Sequence, residues 1–486
     1  MFTSMNTRSV AHLIAFMLMV IAAAMLLCMG VAWLYDDPDR ARRALGFSAA
    51  IVFSIGAVLW ITTRGPIELS RRDGFGIVTF GWVAAATAGA LPYLLSGVIR
   101  QPASALFESM SGLTTTGASV LTNLEALPRG ILFWRSLTHF FGGMGVLILC
   151  VAIIPFLGIG GMQIYRAEMP GPSKDRLAPR IATTAKLLWG VYVLLCAAQT
   201  GLLMLGGLSL FDALCHAFGT MATGGFSTRT DSVGAFNSGY VEVVTIVFMF
   251  LAGVNFTLHY RALTGNWRGY GRDPEFRFYA AICLSACLLL SWIVWRSVYA
   301  SPVQALRAGF FQGVSILTTT GFATEDFDRW PASARILLVL LMFFGGCAGS
   351  TGGGIKHLRI MVVLKQALRE IIVFMRPQAV VKIKVGRQAL PSAAVSNISA
   401  FFLLFLLLFA VNTLLMTLFT PDLPTALSSV IATMGNIGPG LGLVGPTLTY
   451  ADLPEAAKML LSFCMLLGRL ELYTVLIVLL PGFWRR

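Results

Sequence analysis

The sequence predicts an all-α polytopic membrane protein, and three observations lead there. Of its 486 residues, 57% are hydrophobic and only 12% charged, where a soluble domain carries about 25% charged residues. Apolar runs of about 20 residues recur along the chain, each long enough to cross a hydrocarbon layer about 30 Å thick. Between those runs, four shorter apolar stretches end in similar loops rich in glycine and threonine. Length alone would suggest about three soluble domains, a prior that does not carry over to a bundle of spanning helices.

The first run, about residues 10–35, is too long for a signal-peptide core and lacks a small-residue cleavage pattern, so a retained spanning helix is expected. A second run covers about 43–63, and the two make an N-terminal pair within 1–70. Four repeats are then expected at 71–165, 166–265, 266–390 and 391–486. Their outer helices pair about 75–98 with 131–157, 183–207 with 240–262, 276–299 with an interrupted 334–375, and 394–419 with 456–480. Inside each pair lies a stretch too short to span, at 102–113, 209–221, 303–316 and 422–433. Each stretch runs into a loop. The loops read Leu113-Thr114-Thr115-Thr116-Gly117-Ala118-Ser119, Ala222-Thr223-Gly224-Gly225-Phe226-Ser227-Thr228, Thr318-Thr319-Thr320-Gly321-Phe322-Ala323-Thr324 and, more loosely, Met434-Gly435-Asn436-Ile437-Gly438-Pro439-Gly440.

The net charge of +14 is distributed by connection. Basic residues gather at Arg166, Lys174, Arg176, Arg180 and Lys186, at Arg261, Arg268, Arg272 and Arg277, and from Lys356 through Arg359, Lys365, Arg369, Arg376, Lys382 and Lys384 to Arg387. Much of the acid lies in the alternate connections, at Glu108, Asp231, Glu325, Asp326, Asp328, Asp422, Asp452 and Glu455. This asymmetry places the basic connections in the cytoplasm and all four Gly/Thr loops on the outer side. It argues against a nucleic-acid partner, and attraction to anionic lipid of the bilayer accounts for the basic patches as well as a docking partner would. The connection after the first helix is expected outside although it holds Arg40, Arg42 and Arg43, with Asp36, Asp37 and Asp39 to balance them. The eight cysteines are scattered, without metal-ligand or disulfide spacing, and read as buried structural thiols. His12, His139, His259 and His357 show no ligand spacing either, so no metal role is assigned to them.

A loop that enters the bilayer and returns must be buried in protein or line a watery path, because lipid satisfies none of its backbone. One Thr-Thr-Gly is uninformative. Four of them, in the same slot of a unit repeated in one orientation, predict helix–pore-loop–helix repeats around a pseudo-four-fold pore. Carbonyls converging on such an axis replace the hydration shell of a monovalent cation, glycine permits the backbone conformations this needs, and threonine hydroxyls add oxygens.

At the level of residues the chain resembles the TrkH family of the Trk/Ktr/HKT superfamily over nearly its whole length. The resemblance rests on Phe107-Glu108-Ser109 before the first loop, and on Phe133-Trp134-Arg135-Ser136-Leu137-Thr138-His139 with Gly142-Gly143-Met144-Gly145. It continues in residues 222–228 and in Gly345-Gly346-Cys347-Ala348-Gly349-Ser350-Thr351-Gly352-Gly353-Gly354-Ile355-Lys356, and closes with residues 436–440 and Gly468-Arg469-Leu470-Glu471. It implies potassium transport across a bacterial inner membrane, with K⁺ as the bound substrate ion and no organic cofactor on this chain. Filter glycines would be Gly117, Gly225, Gly321 and Gly438, and Thr115/Thr116, Thr223/Gly224, Thr319/Thr320 and Asn436/Ile437 would supply ion-facing carbonyls. Glycine at all four positions goes with K⁺ preference in this superfamily. The resemblance also implies a homodimer and a peripheral cytoplasmic TrkA-type nucleotide-binding regulatory subunit.

Between residues 345 and 354 six of ten positions are glycine, at Gly345, Gly346, Gly349, Gly352, Gly353 and Gly354. Each costs a helix about 1 kcal/mol relative to alanine, so with Ser350, Thr351 and the following Lys356 this segment is expected to unwind below the filter. A seam of small residues at a helix contact would need only one or two. In the resemblance this segment is the gate. Arg469 stands in the middle of the last apolar run, where a charge faces a partner or a watery cavity. It reads as a fixed positive charge at the inner entrance of the pore, or as an anchor paired with Glu471 or a carbonyl. Lys356 would act similarly or snorkel to the cytoplasm. Glu108, His216, Gln312 and Ser429, each nine residues before a filter glycine, are expected to anchor the half-helices. A metallopeptidase His-Glu-x-x-His, a nucleophile elbow and a phosphate loop are all missing, which argues against an enzyme. A carrier for another solute would more commonly use inverted repeats.

Overall fold

The computed structural model describes residues 5–66, 69–152 and 177–484. Arg166, Lys174 and Arg176, the end of the expected 131–157 helix and the expected 165/166 boundary lie outside these residues. Two long helices come first, α1 (Thr7–Leu34) and α2 (Asp39–Thr62), packed on each other and on α3 (Arg71–Ser96). Of the acids between them, Asp39 pairs with Arg42 at 2.8 Å. Asp37 does different work: buried, it accepts from the Arg129 and Gly130 amides at 2.9 and 2.7 Å, capping a later helix.

Four units follow, each a long helix, a half-helix and a second long element. The first holds α3, α4 (Pro102–Leu113) and α5 (Arg129–Ala152). In the second, α6 (Leu177–Leu205) and α7 (Leu210–Met221) precede α8 (Gly239–Ala252) and α9 (Phe256–Leu263). In the third, α10 (Pro274–Ser297) and α11 (Pro302–Leu317) precede α12 (Ala332–Met342) and α13 (His357–Met375). The fourth runs through α14 (Ser392–Met416), α15 (Leu423–Met434), α16 (Glu455–Arg469) and α17 (Tyr473–Leu479). A small hairpin, β1 (Lys384–Val385) against β2 (Gln388–Ala389), joins the third unit to the fourth.

The half-helices are short for local reasons. Proline at the first or second helical position starts α4, α11 and α15, and the Ser209 hydroxyl starts α7 by accepting from the Asp212 amide. At 12 residues, α4, α7 and α15 reach only ~18 Å. The long helices turn much apolar surface outward: in α14 only 22% of the most apolar stretch is buried, which is the pattern of a helix solvated by lipid. Among the described residues, six helices are long and apolar enough to span, or eight if each bent pair is one span.

Two of the expected helices are broken. The run at 240–262 bends by 104° between α8 and α9, and the run at 456–480 bends by 118° between α16 and α17. At the first break Asn255 caps α9, its side chain accepting from the Thr257 amide at 2.9 Å. At the second, Glu471 and Leu472 take positive φ of 58° and 53°. The third unit has its interruption between Met342 and His357, against the first break, where the Cys347 amide bonds the Gly253 carbonyl at 2.8 Å.

Candidate functional site

Each half-helix ends the same way. The amide two residues past the helix-end cap bonds a carbonyl five residues back: Thr116 to Ser111 at 2.8 Å, Gly224 to Gly219 at 2.8 Å, Thr320 to Ser315 at 2.9 Å and Ile437 to Ala432 at 2.8 Å. The amide before it bonds three residues back, so every end is a Schellman motif. That motif requires one left-handed residue, and the four are Thr115, Thr223, Thr319 and Asn436, with φ between 50° and 61°. For the β-branched threonines this costs roughly 1–2 kcal/mol each. Strain of this kind survives only where surrounding structure over-determines it, and it clusters at functional sites.

The next residue but one, Gly117, Gly225, Gly321 or Gly438, is again at positive φ. The alternation aims the intervening carbonyls, and their neighbours close a circle. A β-carbon at Gly117 would strike the Gly224 carbonyl oxygen, one at Gly225 that of Thr320, and one at Gly321 that of Ile437. One at Gly438 would lie 2.8 Å from the Thr116 oxygen. Thr116, Gly224, Thr320 and Ile437 therefore present their carbonyls at the four seams between successive units. The fourth unit departs in detail: φ at Gly438 is 106°, and the buried Tyr450 hydroxyl donates to its carbonyl at 2.7 Å. Thr115, Thr223, Thr319 and Asn436 are fully buried, whereas solvent reaches Gly117, Gly225 and Gly321. The C-terminal ends of four helix dipoles converge here, an electrostatic setting for a cation. Thr115 Oγ1 and Asn436 Oδ1 are buried oxygens without a hydrogen-bond partner in this structure.

The anchors behind the loops differ from unit to unit. The Glu108 carboxylate accepts from the Ser119 hydroxyl at 3.0 Å and the Val120 amide at 2.9 Å. His216 meets the Ser227 hydroxyl at 2.9 Å, and Gln312 lies 3.3 Å from that of Thr324. In the fourth unit Ser429 bonds only its own helix at Ala426; Ser428 is the anchor, donating to the Leu441 carbonyl and accepting from its amide at 2.8 Å. One residue of register separates them.

Sequence reading gave Arg135 no role of its own, yet it clasps two loops. Its Nε donates to Glu108 at 2.8 Å, its terminal nitrogens to the Ser227 carbonyl and the Ser119 hydroxyl at 3.1 Å each, and it lies 4.0 Å from the Phe226 ring centre. Both partners of the ion pair are buried. Arg135→Ala strands the Glu108 charge and is expected to cost about 3–5 kcal/mol, read as a lowered unfolding midpoint in detergent. An unchanged midpoint would show that Glu108 is satisfied without it.

Beneath the ring, residues 343–356 leave helical conformation, and none of them is exposed. Phe344 and Ile355 form a bridge that closes the segment into a loop. Its tip touches all four units, directly or through Arg469. The Gly353 amide donates to Thr319 Oγ1 at 2.7 Å, and Thr351 Oγ1 donates to the Met221 and Ala252 carbonyls at 2.9 and 3.2 Å. A β-carbon on Gly353 would run into the Gly435 carbonyl, one on Gly345 into that of Gly353, and one on Gly346 into the Ser350 hydroxyl. Gly349 and Gly354 are at positive φ, and Gly352 packs against Gly346. Such contacts leave no space for side chains.

Arg469 is buried and donates to the Thr351 carbonyl at 2.8 Å and the Gly142 carbonyl at 2.9 Å. Its anchor is therefore a pair of carbonyls, one of them on the loop. Of the two anchors expected for it, Glu471 or a carbonyl, the structure shows carbonyls, while Glu471, past the break after α16, pairs with Arg359. Lys356 does not reach outward; it is buried and donates to the Gly352 carbonyl. Glu275 Oε1 accepts from both the Ala348 and Leu358 amides, at 2.7 and 3.0 Å, tying the middle of the loop to the first turn of α13.

Comparison with known proteins agrees with this architecture. The family described as TrkH, cation transport protein, matches residues 44–482. The chain is 42% identical to the Trk system potassium uptake protein TrkH of Salmonella typhimurium, covering 99% of this chain and 100% of that one. It is 38% identical to the Trk system potassium uptake protein TrkG of Escherichia coli, again over 99% of this chain and all of the relative. The crystal structure of the potassium transporter TrkH from Vibrio parahaemolyticus superposes with a TM-score of 0.91 at 40% identity, covering 99% of this chain and 100% of that chain. The chain belongs to the TrkH family of cation transport proteins.

Proposed function

We propose that the chain carries K⁺ across the bacterial inner membrane through the ring formed by residues 115–117, 223–225, 319–321 and 436–438, with residues 345–356 as the gate. The observation that carries this reading is the closed circle of Thr116, Gly224, Thr320 and Ile437 carbonyls, each at the seam with the preceding unit's filter glycine. A ring of carbonyl dipoles replaces the water shell of a monovalent cation, and the unpartnered Thr115 and Asn436 oxygens offer further ligands at its inner end. The relatives that match along their whole length are named potassium uptake proteins. Anomalous scattering from crystals grown in Rb⁺ or Tl⁺ tests it: density is expected on the axis among these carbonyls, and ions bound only elsewhere would refute it.

In this reading the loop obstructs the path, and Arg469, bonded to the Thr351 carbonyl, ties it in place and sets a positive charge below the ring. Arg469→Ala removes the bonds to Thr351 and Gly142 and is expected to raise K⁺ flux per folded molecule. A parallel fall in folded yield and flux would reduce Arg469 to a structural anchor. The name "Trk system" borne by the relatives supports a multi-component assembly. In this reading a cytoplasmic TrkA-type nucleotide-binding ring acts on the loop from the basic side. The exposed apolar residues at the end of α13, among them Leu368, Ile371 and Phe374, suit contact with a second copy in a homodimer.

A further inference from the structure

We propose that His139 is a positioning residue for the ring, standing behind Gly224 in place of the side chain that the second loop lacks; this rests on the reading of the four loops as the filter. The residue before each filter glycine is Thr116, Gly224, Thr320 or Ile437. Three of these are β-branched, with few conformations open to them. Their side chains are fully buried behind the ring, where the Thr116 and Thr320 hydroxyls each meet a neighbouring threonine hydroxyl at 2.8 Å. Gly224 has no side chain to hold its carbonyl, and glycine is the most permissive residue of all. The space is filled from another unit. A β-carbon built at Gly224 would lie 2.6, 2.7 and 2.8 Å from Nδ1, Cε1 and Cγ of His139, which projects from α5.

His139 is itself held rigidly. It is fully buried and stacks on Phe226, with ring centres 4.1 Å apart and planes 16° from parallel. Neither ring nitrogen has a hydrogen-bond partner in this structure, so the ring is not kept in place by polar contacts of its own. Its flat face, wedged between Phe226 and the Gly224 backbone, stiffens the carbonyl at the seam with Gly117. A glycine and an imidazole together thus do what one β-branched residue does in each of the other loops.

The test is a swap measured by K⁺/Na⁺ permeability ratio in proteoliposomes, with Gly117→Ser as a control for the filter itself. His139→Ala is expected to lower the ratio about ten-fold, the factor that ~1.4 kcal/mol of lost discrimination produces. His139→Ala combined with Gly224→Thr restores a β-branched residue in the vacated space, and the ratio should return towards wild type. An unchanged ratio in His139→Ala, while Gly117→Ser lowers it, overturns the role of His139 and leaves the filter reading intact. Unchanged ratios in both overturn the filter reading and this proposal with it. A lowered ratio that the double variant fails to restore also overturns it. Should His139→Ala not fold, the double variant decides: folded protein with the wild-type ratio supports the proposal, and failure to fold overturns it.

Discussion

Gly117→Ser is expected to remove most of the discrimination between K⁺ and Na⁺, by roughly ten- to a hundred-fold, or ~1.4–3 kcal/mol. Two effects add. A side chain at φ 81° is strained by roughly 1–2 kcal/mol, and its β-carbon runs into the Gly224 carbonyl oxygen. That oxygen belongs to the ring, so relief of the clash moves one carbonyl of the four that the proposed filter uses. The permeability ratio from bi-ionic reversal potentials measures it. A retained ratio with retained flux would remove Gly117 from the filter.

Deleting residues 349–353 is expected to raise K⁺ flux by about ten-fold or more, an opening worth at least ~1.4 kcal/mol, with selectivity kept. The deletion takes away Thr351 with its bonds to Met221 and Ala252, the carbonyl that Arg469 holds, and the Gly353 contact with Thr319. None of the four ring carbonyls belongs to the deleted segment. Irregular backbone within the membrane is tolerated only against protein or water, and a segment so rich in glycine has little conformation of its own, so in the proposed reading a modest push from a partner would move it. A deletion protein that folds yet conducts no better than wild type would leave the segment as packing alone.

How much of this was legible in the sequence depended on whether a feature is local. The half-helices were readable because proline or serine starts them and glycine ends the loops, and the unwound segment because six glycines cannot be hidden in a helix. The bend at Gly253-Val254-Asn255 carried a signal that went unread, since asparagine there is a helix N-cap. The bend at Leu470-Glu471-Leu472 carried almost none. Leucine at positive φ has no local rationale; packing imposes it, and with it the pairing of Glu471 with Arg359. Contacts between units were equally invisible. Arg135 reaching Ser227 and Arg469 reaching Gly142 depend on which faces the four units turn to each other, and repeat spacing does not encode that.

The most direct measurement is the uptake of K⁺, Rb⁺ and Na⁺ into liposomes that hold this chain alone. The account predicts that K⁺ and Rb⁺ enter at comparable rates and Na⁺ far more slowly, with the order kept when residues 349–353 are deleted and the rates raised. Na⁺ entering as fast as K⁺ in both proteins would contradict it, because a ring of four glycine-permitted carbonyls would then not be what chooses the ion.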